Sequence, residues 1–204
     1  MSAITITDLA GAIYSAGTVF DGLAAGRLDT ENFLRSGSLA GVSSRSDLSL
    51  LADQRGVAPL IIAHHPQPIA PADGCAAKQT GVRPRYGQHT PPAMTEADLE
   101  HLIASLTCDD AAEYALDLFV HLAKAQPFED GNKRTALFVA NSLLIGDGRM
   151  LVVPVDDNDS QLSDTFNDLL AKAYLRDEHD AVKDLMRRYG LVEIPDHRDA
   201  SEGP

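Results

Sequence analysis

The stretch Ala125–Leu137, AQPFEDGNKRTAL, sets an amide, an aromatic ring, a carboxylate, a glycine and two cations in a row, immediately ahead of an apolar run. Together these types can handle a phosphate. Gly131 lets the backbone approach a ligand closely and take a φ that other residues resist. The N–H groups of Asn132, Lys133 and Arg134 are the orphan donors of a new helix, which is a ready cradle for an anion. Arg134 offers a bidentate fork to phosphate oxygens and Lys133 a mobile point charge. Asp130, just ahead of the cradle, is placed to hold a magnesium ion bridging phosphates. Two cations at a helix N-terminus oppose its dipole and call for a compensating anion. Gln126 is the odd member, because an amide can orient a hydroxyl but cannot take its proton. The same residues also compose a plain helix–turn–helix corner with an acidic cap, and the turn alone does not choose between the two.

The elements that must position this turn read as helices. Ile4–Ala25 is amphipathic with Thr7 as its N-cap; Thr30–Leu39 and Arg45–Gln54 are shorter helices. Proline and glycine crowd the stretch from Pro59 to Pro92, which predicts a long loop or short irregular hairpin. Thr95 opens a helix to about Leu106, with Asp98 at the capping-box position. Asp109 or Asp110 caps the next, in which Tyr114, Leu118, Leu122 and Ala125 mark the buried face. Pro127 and Gly131 break it, and Asn132–Leu144 is apolar enough to be the central buried helix. An extended LVVP segment, helices over about Ser160–Tyr174 and Glu178–Tyr189, and a polar tail complete the chain.

Composition narrows the class. With 204 residues, 44% of them hydrophobic, the chain suits one domain with a sizeable core. No apolar stretch is long enough for a membrane span and no leader-like start is present, so a cytoplasmic protein is expected. The two cysteines, Cys75 and Cys108, make neither a disulfide framework nor a metal cage. A net charge of −13 argues against general nucleic-acid binding, which needs a basic face.

Pro127, Phe128, Asp130, Gly131, Asn132, Lys133 and Arg134 resemble the signature of the Fic/Doc (Fido) family, whose pattern is His-Pro-Phe-x-Asp/Glu-Gly-Asn-Gly/Lys-Arg on a loop between two helices. The resemblance runs from about Ser36 to Tyr189 and implies a mainly α, Fic/Doc-like helical bundle with a short β-hairpin flap. It divides the chain into N-terminal helices over 1–58, a core over 59–190 with the flap near 80–92, and a polar tail over 191–204. Family members transfer a phosphate-containing part of a nucleotide, most often AMP, onto a protein hydroxyl, and the Doc branch transfers a phosphate. The resemblance therefore implies ATP and magnesium as cofactors, Asp130 as the metal residue, Gly131, Asn132, Lys133 and Arg134 as phosphate-binding residues, Phe128 as the loop's anchor, and a protein target along the flap.

This chain departs from the pattern at three places. Gln126 stands where the family has its general-base histidine, a replacement worth about 10²–10⁴ in rate. Leu137 stands at the family's second arginine, and with Lys133 it points towards Doc-like binding. Ser36–Gly41 fits the spacing of the family's inhibitory motif, with Ala40 at the place of its glutamate. His89, on the flap, is the candidate surrogate base. His121 lies on another face of its helix from Gln126, His64 and His65 read as loop residues, and Glu129 falls at a variable position. Three readings follow: a nucleotide-binding module without transfer, a transferase using another base, and a helical interaction domain that binds no nucleotide. Retention of the cradle beside a missing base favours the first two over the third.

Overall fold

A computed structural model of the chain describes residues 5–62, 87–128, 131–156 and 160–194. Eight α-helices carry the described fold: α1 (Ile6–Ala16), α2 (Arg27–Ser36), α3 (Arg45–Ile62), α4 (Glu96–Ser105), α5 (Ala111–Ala125), α6 (Asn132–Leu144), α7 (Gln161–Arg176) and α8 (Asp180–Tyr189). Two short strands, β1 (Arg149–Leu151) and β2 (Leu191–Glu193), pair antiparallel with Met150 opposite Val192. Among the described residues the fold is mainly α with one small sheet. That sheet is separate from the expected flap, whose residues 80–86 lie outside the described ones. No described helix is long and apolar enough to cross a membrane.

The helix starts follow local chemistry. Thr5, rather than Thr7, caps α1, because Asp8 three residues on returns a carboxylate to the Thr5 N–H and closes a reciprocal box. Thr95 and Asp98 form the same box on α4. Asp110 caps α5, its carboxylate accepting from the Ala112 and Glu113 N–H groups, both at 2.9 Å, and these bonds hold its carboxyl below the ordinary range. The first helix ends earlier than its pattern suggests. After Ala16 the chain takes a π-helical turn over Gly17–Asp21, and Gly22 stops it with φ 67°. Conversely, α3 runs on past Gln54 to Ile62.

Two apolar clusters join at α6. One centres on α5, α6 and α7, with Leu116, Phe119, Leu137, Leu144 and Phe166 excluded from water. The other packs α1, α2 and α3 against Ile145 and Met150 at the far end of α6. Leu118 and Leu122 are buried as the spacing predicts, whereas Tyr114 and Ala125 are only partly so. The deepest residues of α5 are Ala115, Leu116, Phe119, Val120 and Ala123, since α6, α7 and α8 all pack on this helix.

Buried polar side chains tie the chain after α6 into place. The Asn141 amide donates to the Leu151 carbonyl (2.9 Å) and accepts from its N–H (2.6 Å). Ser15 Oγ accepts the Val153 N–H at 3.2 Å and so links α1 to the segment beyond β1. Ser15→Ala leaves that buried N–H without a partner and is expected to cost about 1–2 kcal/mol, read as a lower urea midpoint with an unchanged slope. The chain remains in the fold through β2, so Leu191–Glu193, expected to begin the tail, form a paired strand instead.

Candidate functional site

The loop between α5 and α6 is built from two left-handed residues. Gln126 closes α5 with φ 49° and ψ 57°, its N–H bonded to the Leu122 carbonyl at 3.2 Å. Gly131 opens α6 with φ 71°, and an added Cβ there would meet the Arg134 guanidinium at 3.1 Å. The positive φ is what calls for glycine at this corner, and the nearby guanidinium adds a tight contact. A left-handed glutamine is unusual, since this conformation among non-glycine residues favours Asn, Asp and His.

Asn132 fixes the loop's interior. Its side-chain oxygen accepts the Phe128 N–H (2.7 Å) and its amide nitrogen donates to the Phe128 carbonyl (2.8 Å). The side chain is thus engaged with the loop backbone, and what Asn132 offers an anion here is its own N–H at the first turn of α6. Phe128 is half-buried and lines a shallow apolar dimple with Leu99, Leu122, Pro127, Thr135 and Ala136, which holds the loop against α4, α5 and α6.

Both cations are met by the π-helical turn after α1. Arg134 Nη1 lies 2.8 Å from Asp21 Oδ1, with both side chains about four-fifths buried. The Lys133 ammonium sits 4.6 Å from the centre of the Phe20 ring. Phe20 in turn packs against Phe166 at 6.0 Å between ring centres. One anion that meets these cations is the Asp21 carboxylate, which pairs with Arg134 from a distant part of the chain. Neither Phe20 nor Asp21 is singled out by sequence reasoning. The available signal was indirect, namely that paired cations at the start of α6 require a negative partner.

The structure separates the other candidates. The Gln126 side-chain oxygen is buried and has no hydrogen-bond partner. His89 Nε2 lies 2.7 Å from the Lys124 carbonyl, and since a carbonyl only accepts, that nitrogen carries the proton and donates. The His89 ring packs on Tyr174 at 5.3 Å. Leu137 faces the core and is fully buried, so position 137 does not look onto the loop. Ser36–Gly41 lies at the C-terminal end of α2, where Ser36 Oγ donates to the Asn32 carbonyl; the acid that reaches a signature arginine is Asp21. His121 sits at the boundary of α5 and packs edge-on to His179. Asp130, Glu129, His64 and His65 lie outside the described residues.

Chemically, the arrangement presents a helix N-terminus, a guanidinium already holding a carboxylate oxygen, an ammonium beside it, and a buried amide oxygen awaiting a donor on the same loop. An anion bearing several oxygens fits that donor set. Residues 60–144, which include this loop, match the model of the Fic/DOC family. No curated protein and no solved structure matches the chain.

Proposed function

From the match of residues 60–144 to the Fic/DOC family model, we propose that the loop Gln126–Arg134 binds a nucleotide, ATP with magnesium, and that transfer of AMP to a protein hydroxyl is lost or altered because Gln126 stands in place of a base. The observation carrying this reading is the buried, unpartnered oxygen of Gln126 on the same loop as the cations of α6. A buried acceptor without a donor costs about 1–3 kcal/mol, so the site is incomplete until a donor arrives. A hydroxyl or a nucleotide N–H supplies one.

Arg134 and the N–H groups of Asn132, Lys133 and Arg134 would bind phosphate oxygens, with the Asp21 carboxylate marking where an anionic oxygen is accepted. Magnesium would be held by Asp130 together with phosphate oxygens, and it would neutralise charge on the phosphates. In a transfer, a hydroxyl oxygen bonds to phosphorus, the bond from phosphorus to the departing phosphate group breaks, and the hydroxyl proton must go elsewhere. Gln126 can hold that hydroxyl through its oxygen but cannot receive the proton. The alternative, a transferase with a different base, turns on His89, whose Nε2 donates to the Lys124 carbonyl and whose Nδ1 is then the basic nitrogen. A protein target at the flap and a cytoplasmic setting accompany either reading. Titration calorimetry with ATP and magnesium is the direct test; absence of heat with every nucleoside triphosphate overturns both.

The Asp21 carboxylate competes with phosphate for Arg134. Asp21→Asn is expected to tighten ATP binding, because it removes the carboxylate that now holds the Arg134 fork. Weaker binding by this variant in the same calorimetry would mean that Asp21 aims Arg134 rather than competing for it.

A further inference from the structure

A second group of titratable side chains lies where α5 meets α8 and the turn before it. His121 and His179 pack edge to face, 4.7 Å between ring centres. The groups facing them are Asp117 and Lys124 from α5, Lys183 from α8 and Asp177 from the α7–α8 turn. Both carboxylates are already taken. Lys183 Nζ donates to Asp117 at 2.7 Å, and Lys124 Nζ donates to Asp177 Oδ1. His179 Nε2 is buried without a hydrogen-bond partner, and Asp177 Oδ1 lies 3.6 Å from it, just beyond bonding reach. Asp177 itself holds a left-handed turn with φ 59°.

We propose that the His121–His179 pair is an acid-sensitive latch, in which protonation draws Asp177 from Lys124 to the imidazolium and loosens the last turn of α5. Two ammonium groups flank the pair and their charges are balanced one for one, so an added proton is an unmatched charge in a half-buried seam. It finds its acceptor by a shift of a few tenths of an ångström between His179 Nε2 and Asp177. Lys124 then shares Asp177 with the imidazolium, and its own hold on that carboxylate weakens. Its carbonyl receives the His89 N–H, and Gln126 closes the helix two residues later, so the consequence falls on the corner that begins the loop. That last step rests on the nucleotide reading; the latch itself does not.

The direction of the pH effect follows from His121. Burial, and next the neighbouring His179, hold its imidazole below the ordinary histidine range. The unfolded chain takes up the proton more readily. Stability from this seam is therefore complete above about pH 6.5 and is lost as pH falls from there through the lowered folded value.

The test is hydrogen exchange of the amides of Ala123–Gln126 in the full chain without nucleotide, at pH 7.5 and 5.5, corrected for intrinsic rates. Wild type is expected to open about tenfold more at the lower pH, and His121→Phe, which keeps a ring edge but cannot be protonated, to lose most of that response. Equal pH responses in the two proteins overturn the latch. Should His121→Phe not fold, NMR titration of wild type decides: imidazole signals of residues 121 and 179 that titrate without moving the Lys124 and Gln126 amides overturn it as well. ATP binding at pH 7.5 with pH-independent exchange rejects the latch and keeps the nucleotide reading. Acid-driven opening without any ATP binding does the reverse.

Discussion

Gln126→His is expected to raise transfer to a protein, or to the chain itself, by about 10²–10⁴ over wild type, the range general-base catalysis supplies. The backbone is prepared for the exchange. Position 126 holds φ 49°, and histidine is among the non-glycine residues that take this conformation most readily. The side-chain oxygen of Gln126 already lies in a buried place without a partner, so an imidazole nitrogen of similar reach enters the same surroundings. Its near-neutral pKa lets it accept the hydroxyl proton that an amide must leave in place. Intact-protein mass spectrometry separates the outcomes: a phosphate adduct is expected if Lys133 selects a Doc-like pose, and an AMP adduct rejects that pose. Wild type modifying a partner as fast as Gln126→His places the base elsewhere, and His89→Ala then decides whether it is His89. No adduct from either protein, with ATP binding demonstrated, leaves a binding module.

Arg134→Ala is expected to weaken ATP binding by about 1.5–3 kcal/mol, or roughly 10- to 150-fold in Kd, the worth of a charge-assisted contact. The structure adds a control. Removing the guanidinium also takes from Asp21 the partner that lies 2.8 Å from its carboxylate, beside the first turn of α6. Without that partner the carboxylate repels phosphate more strongly. The double variant Asp21→Asn with Arg134→Ala should therefore recover part of the lost affinity, whereas Arg134→Lys keeps the charge but not the fork and should fall between wild type and alanine. Calorimetry at constant ionic strength reads all three. Undiminished affinity in Arg134→Ala would remove this arginine from the site and with it the proposed phosphate pose.

By itself, the sequence determined what is local. Capping residues and turn chemistry placed α4, α5 and α6 to within a residue or two, because Thr95, Asp110 and Gly131 act on backbone groups only a few positions away. It also carried the order of residues in the loop, and with it the resemblance that the match over 60–144 supports. Leu137 reads in the motif as the place of a second arginine, and only the structure shows that it faces the core. What the tertiary structure decided is which groups meet. The first helix breaks into a π-helical turn, and only that turn, lying across the start of α6, brings Phe20 to Lys133 and Asp21 to Arg134. Asn132 reads as a phosphate ligand in the motif, yet its side chain folds back onto Phe128 because the loop's own backbone groups, withdrawn from water, require partners. His89 reads as a candidate surrogate base on a flap, and the structure shows that α5 ends beneath it with an orphan carbonyl that its N–H satisfies. Residue type and spacing define what each side chain can do; a long-range contact depends on the packing of elements far apart in the chain, and no local pattern records it.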